Sequence, residues 1–420
     1  MRSIPVARAS ARGPAAYNSP LLRRIVAAAR ALFRNFMNRT LLLLSVTGAA
    51  TGMATRAVEP MLPMLAGEFA VTVPVVAHVI TVFALSYGVG QFICGPLGDR
   101  YGKLLVTTIT LALSSLMLLG CATASDLIPL GVWRAAAGLA TSASFVLGMA
   151  YIGDTVTVER RQTVIAQYVI GNVLGHAFGP MVAGLVADAW GWRATFVFHG
   201  ISYGLIACAF FAITRTEWRG ERRSKGSINP ISRYAEVWKI SAARHVSMAA
   251  MVEAFFFFGC FAFVGPMLKD RFDLPLTLIG VALAGFGLGG LIFNMSIRWF
   301  VRWNNPALQA LLGGLLCGSM YVVVALSTVW QLSALCMLGV GFGFYMMHNI
   351  LQLRGTEAAP QSRGVGLALF GITWTSGQGL GVFAMGAGIT AFGFTPMIAA
   401  FGACFALLGI WMRANYHRLL

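Results

Sequence analysis

The chain has 420 residues, 58% of them hydrophobic and 11% charged, with a formal net charge of +17. Soluble domains carry about 25% charged residues and just under half apolar ones, so a water-facing surface is excluded, and with it a secreted enzyme, a disordered chain and a soluble nucleic-acid binder. A spanning helix takes roughly 20 apolar residues, so twelve would use about 240 and leave the remainder for termini and loops.

In chain order, residues 1–39 have no signal-peptide core or cleavage site, which predicts an amino end in the cytoplasm. Leu21, Leu22, Ile25, Val26, Ala29, Leu32, Phe33 and Phe36 keep helical spacing between Arg23, Arg24, Arg30 and Arg34. That is the pattern of a helix lying on a membrane surface; a translation start at Met37 is the alternative. Apolar runs then fall near 40–66, 74–97, 104–123, 127–150, 163–187 and 194–213, and near 247–268, 275–299, 307–327, 330–353, 364–387 and 391–412. The expected fold is all-α and integral to a membrane, with twelve transmembrane helices in two six-helix sets, 40–213 and 247–413. Residues 214–246, with the run RGERRSKG, read as a cytoplasmic linker, and 414–420 as a cytoplasmic tail. Cys94, Cys121, Cys208, Cys260, Cys317, Cys336 and Cys404 sit singly in apolar runs, without the spacing of a disulfide framework or a metal site.

Basic residues set the predicted orientation, because short cytoplasmic loops hold Lys and Arg. With the amino end inside, 26 of the 31 lie in inside segments, while Arg193, Lys269 and Arg271 lie outside and Arg56 and Arg134 within spans. The net charge then belongs to an inside face drawn to anionic lipid, and nucleic acid need not be invoked. The expected location is a bacterial-type inner membrane with both termini cytoplasmic.

After span 2 comes Gly95-Pro96-Leu97-Gly98-Asp99-Arg100-Tyr101-Gly102-Lys103. Glycines there permit a tight turn and close helix approach. The segment resembles the GxLaDrxGrk loop of the major facilitator superfamily, matching at Gly95, Leu97, Asp99, Arg100 and Gly102, with Lys103 in place of Arg and Leu104 in place of the final base. Given the six-plus-six division, the resemblance covers essentially 40–413. It implies two pseudo-symmetric bundles and a conformational latch: Asp99 near the amino end of helix 11, at Arg363 and Gly364, and Arg100 paired with Asp154. The second half has Arg298 and Arg302 but no equivalent acid, so the latch is expected on one side only.

In span 5, Gly171, Gly175, Gly179, Pro180, Ala183 and Gly184 place small residues on one helix face, with a kink expected at Pro180. The stretch resembles the GxxxGPxxGG signature of drug:proton antiporters, Ala183 replacing one glycine. Ordinary close packing of helices is the competing reading. Leu130, Arg134 and Gly138 resemble the family's LxxxRxxqG motif, with Ala137 in place of Gln; the resemblance implies that Arg134 biases a nearby acid in proton transfer.

Charges inside spans are costly and default to function. Arg56 and Glu59, three residues apart, are expected to share a helix face and to lie, like Arg134, within roughly 10 Å of the outer surface. Glu59, Arg56 and Arg134 could thus form one exchangeable cluster with Glu59 as proton carrier; a permanent Arg56–Glu59 bridge is the alternative. Glu253 in span 7 is the rival carrier, with His348 as partner. Tyr345, His348, Asn349 and Gln352 form a polar stripe on span 10 that contacts substrate or neighbouring helices. His78, His176 and His199 read as packing residues. Phe255 to Phe258, Phe261 and Phe263 cover every face of span 7 and read as lipid contact and packing, some lining an apolar cavity with Met346 or Trp374.

The glycine strings lie inside helices and no Walker lysine motif occurs, so the chain is not read as an enzyme. No metal and no cofactor are expected; the proton gradient is the energy source. The predicted function is proton-coupled efflux of small lipophilic or amphipathic compounds by a monomer, its partners being substrate, protons and lipid. A proton-coupled importer and a non-transporting receptor or scaffold are the alternatives.

Overall fold

The computed structural model describes residues 39–218 and 230–420. The basic stretch 1–38 and the RGERRSKG run therefore lie outside the described residues. Within them all regular structure is helical.

The first half comprises α1 (Arg39–Glu68), α2 (Val73–Tyr101), α3 (Lys103–Ala122) and α4 (Leu127–Thr155). A long helical stretch, Val158–Thr214, follows and has non-helical backbone at Gly191 (φ 82°). This positive φ costs glycine nothing and divides the stretch into α5 (158–190) and α6 (192–214). Pro180, expected to kink α5, stays inside it, and Gly191 is the one non-helical residue of the stretch. After α6, a helix Pro230–Lys239 leads into α7 (Ser241–Phe272). α7 begins six residues before the predicted boundary, so Arg244 and His245 are helical rather than linker. The second half continues with α8 (Leu276–Val301), α9 (Pro306–Leu326), α10 (Trp330–Glu357), α11 (Arg363–Phe392) and α12 (Phe394–Ala414).

Ten of these helical stretches, among the described residues, are long and apolar enough to cross a membrane, and the one at Gln167–Thr214 runs through both α5 and α6. With the 30-residue α11, the count is twelve. An even number puts the start of α1 and the end of α12 on one face, here the terminal face; the opposite one is the far face.

The halves repeat one packing solution. On α5, Gly171, Gly175 and Gly179 lie on the α1 backbone at Ser45, Ala49 and Met53, where a Cβ would collide. On α11, Gly377 and Gly381 lie in the same way on α7 at Met251 and Phe255. Backbones approach this closely only where side chains are absent. The phenylalanines of α7 are the core of the second half: Phe257, Phe258, Phe261 and Phe263 are buried, and Phe257 meets Phe344 with ring centroids 4.0 Å apart. These four are packing residues, while Phe255 and Phe256 are half-buried.

Between the halves, α2 meets α11 and α5 meets α8. Thr81 donates to the Gly379 carbonyl at 3.2 Å, His78 stacks on Phe383, and Gly280 sits against the Pro180 and Met181 backbone. Tyr234, on the helix before α7, packs on Phe92 of α2 at 4.8 Å, while Val237 of the same helix joins Ala358, Ala359 and Leu369 of the second half.

Candidate functional site

The α1 helix breaks where its charges lie. Regular helix ends at Thr55, a 3-10 turn spans Glu59–Met61, and helix resumes at Leu62. Arg56 and Glu59 therefore meet across a break, not along a helix face. The Arg56 guanidinium donates to Glu59 Oε1 at 3.0 Å, and both side chains are 1% exposed. Arg56 also reaches into the other half: it lies 4.0 Å above the Phe258 ring and 3.5 Å from Gln378 Oε1. A Cβ at Gly265 of α7 would stand 3.3 Å from the Glu59 carbonyl oxygen. The break thus presses a buried ion pair into the seam between the halves, on its far side.

Arg134 is buried beside this pair without joining it. It makes no ion pair within 4.0 Å among the described residues, and none of its guanidinium nitrogens has a hydrogen-bond partner. The Phe83 ring, 3.9 Å from the guanidinium carbon, covers it instead. Cation–π contact of this kind offsets part of the cost of burying the charge. His199 is buried nearby with Nε2 unpartnered, and His176 Nδ1 lies 2.9 Å from the Asn172 carbonyl oxygen.

The second pair joins α7 to α10. Glu253 Oε2 and His348 Nδ1 are 2.7 Å apart, with Glu253 fully buried and His348 12% exposed. Glu253 Oε1 and Trp374 Nε1 are buried without hydrogen-bond partners. His348 stacks on Phe344 at 5.1 Å and meets Trp374 at 5.5 Å; Trp374 in turn meets Phe258 at 5.0 Å. An aromatic wall therefore connects the Arg56–Glu59 pair to the Glu253–His348 pair. The rest of the α10 stripe points elsewhere. Tyr345 stacks on Phe286 of α8, Asn349 donates to Asn294 of α8 at 3.4 Å, and Gln352 is half-buried. Met346 is buried against Phe293 and Phe300, away from this wall.

At the terminal end of α2, Gly102 (φ 103°) forms the whole joint to α3. That one-residue turn carries Lys103 back beneath the loop, where its Nζ lies 2.7 Å from Asp154 and 3.1 Å from Asp99. The expected Arg100–Asp154 pair is not the one formed: Lys103 takes Asp154, and Arg100 is exposed over the Tyr101 ring. Asp99 likewise pairs with Lys103; at the start of α11 Gly364 is exposed, and the Arg363 side chain lies outside the described residues. These contacts stay within the first half. Gly95 faces open space.

In α5, Gly175 and Gly179 serve the contact with α1, while Gly184 and Pro180 lie against α8 at Leu276 and Gly280. The stripe is thus a two-sided packing surface.

Three further residues went unseen in the sequence. Gln378 is a lone amide in an apolar run, and its contact with Arg56 depends on the seam. Glu217 accepts from Thr40 and Tyr151 at 3.1 and 2.9 Å, tying α1 and α4 to the end of α6. Asp188, just past the predicted end of span 5, binds the start of α8; an acid closing a span was the available signal.

The family model of the Major Facilitator Superfamily matches residues 44–382. The chain belongs to the Major Facilitator Superfamily. The uncharacterized MFS-type transporter YceJ of Bacillus subtilis is 26% identical over 82% of this chain and 87% of its own length. The efflux pump radE of Floropilus chiversii is 25% identical over 43% of this chain, and the match spans 35% of that relative. Among solved structures, a bacterial homolog of the human lysosomal transporter Spinster, inward-facing and unoccupied, agrees with a TM-score of 0.66 at 18% identity, over 90% of this chain and 94% of that one. This last likeness speaks for the superfamily fold.

Proposed function

We propose that this superfamily member is a secondary active transporter of a bacterial-type inner membrane, exporting small lipophilic or amphipathic compounds in exchange for protons. The observation that carries the reading is the Glu253–His348 pair: a fully buried carboxylate, inside a span, bonded to a partly exposed histidine. Ionisable groups at this depth are costly to keep unless they work. The pair releases its proton toward the terminal face as a compound docks on the wall of Phe344 and Trp374, beside Phe370, whose ring lies 5.9 Å from that of His348. Rocking of the halves then exposes the pair to the other side, where it reloads.

The aromatic wall supports an apolar substrate. Deep in the spans, Arg56 and Arg134 are each covered by an aromatic ring, whereas phosphorylated metabolites require open, clustered bases. The lysine and arginine bias supports a cytoplasmic terminal face, and the efflux pump among the relatives is in keeping with export. Arg56–Glu59 closes the far side of the seam. Transport requires one chain and no cofactor.

The test is accumulation of a panel of lipophilic cations, neutral amphiphiles and sugars in proteoliposomes under an imposed pH gradient. Movement of an amphiphile against the direction of proton flow is the expected result. Movement with the proton, or of sugars alone, would replace this reading with a proton-coupled importer.

A further inference from the structure

The far ends of α5 and α8 belong to different halves, and one side chain ties them together. The Leu276 N–H donates to Asp188 Oδ1 at 3.1 Å, and Asp188 Oδ2 accepts the Thr277 N–H at 2.6 Å and the Thr277 hydroxyl at 2.7 Å. Leu276 is the first residue of the 26-residue α8, so the carboxylate caps a helix amino end, whose free N–H groups and dipole favour negative charge. Beneath it the backbones are zipped together: Gly184 against Leu276, Gly280 against Pro180, and Gly287 against Ala177. In the α2–α11 seam the amino end of α2 has no such cap: Thr72 makes no side-chain cap bond, and Pro74 faces Gly386. Three charge-assisted bonds across the halves therefore concentrate at one residue.

We propose that Asp188 is the far-face latch of the transport cycle, a positioning residue that holds the halves together on that side and must release α8 before the far side opens. Hydrogen bonds of this length do not survive a separation beyond about 3.5 Å, so rocking of the halves has to break all three. The proposal rests on the alternating-access part of the proposed function.

Its test is a distance measurement by pulsed electron resonance in lipid nanodiscs. Spin labels are placed at Ile128→Cys and Leu326→Cys, far-face positions of the two halves that are 76% and 63% exposed, with Cys208 and Cys404 changed to Ser. Asp188→Ala is expected to raise the ratio of far-open to far-closed molecules about fivefold, equivalent to roughly 1 kcal/mol. Asp188→Asn keeps an acceptor without the charge, and should shift the ratio the same way by less. Arg193→Ala breaks the Glu68–Arg193 pair inside the first half and should leave the ratio unchanged. A ratio within twofold of wild type in both Asp188 variants, or an equal shift in Arg193→Ala, would overturn the latch. The readout needs neither substrate nor proton gradient, so loss of coupling in a Glu253 variant is scored separately.

Discussion

Two arginines are buried deep within the spans, and a carboxylate accompanies only Arg56. Removing one partner of a buried ion pair leaves the other charge unsolvated, at a cost of about 3–5 kcal/mol. Glu59→Ala should therefore destabilise the protein by about that much in detergent unfolding, and the paired change Arg56→Leu with Glu59→Leu should restore most of it. A double variant as unstable as the single one would refute the account of Arg56. At the α2–α3 joint, Lys103→Met removes two bonds to partly exposed carboxylates and should cost about 1 kcal/mol, whereas Arg100→Ala should be near neutral in the same assay. The motif alone favours Arg100, because it is read as a linear string. The backbone turn at Gly102, which selects Lys103, depends on a φ that a lone sequence does not specify.

Packing between helices makes a sharper contrast among glycines. A Cβ at Gly175 would collide with the Ala49 carbonyl, so Gly175→Val must push α1 and α5 apart, at about 1–3 kcal/mol for overpacking. Gly95 has nothing within 4 Å of such a Cβ, and Gly95→Ala inside α2 should be neutral or stabilising by about 0.5–1 kcal/mol. Equal effects in thermal unfolding would contradict this division. The number of helices was legible because hydropathy marks each membrane crossing, and the loop after α2 carried the family resemblance. The Glu253–His348 contact was legible, since helical spacing put His348 on the polar stripe of span 10 and Glu253 was the one carboxylate of span 7. The break in α1 had a local signal that periodicity overrode: Pro60 removes the N–H that would bond the Arg56 carbonyl, and Pro63 follows one turn later. Asp188 was missed because a cap on a distant helix leaves no trace in local periodicity.

For the whole molecule, the two halves divide the labour. The far side is held by Asp188 on α8 and by Arg56 against Phe258 and Gln378, while His348 keeps a share of its surface open. If Glu253–His348 carries the proton and Arg56–Glu59 seals the seam, the two acids must fail differently when neutralised. The decisive measurement is substrate-evoked proton movement in proteoliposomes, recorded with a pH-sensitive dye beside substrate exchange. The account predicts that Glu253→Gln lowers proton movement at least about tenfold, a difference of roughly 1.4 kcal/mol or more, while substrate exchange continues and Glu59→Gln keeps its proton movement. Proton movement that persists in Glu253→Gln, or is lost only in Glu59→Gln, would contradict it.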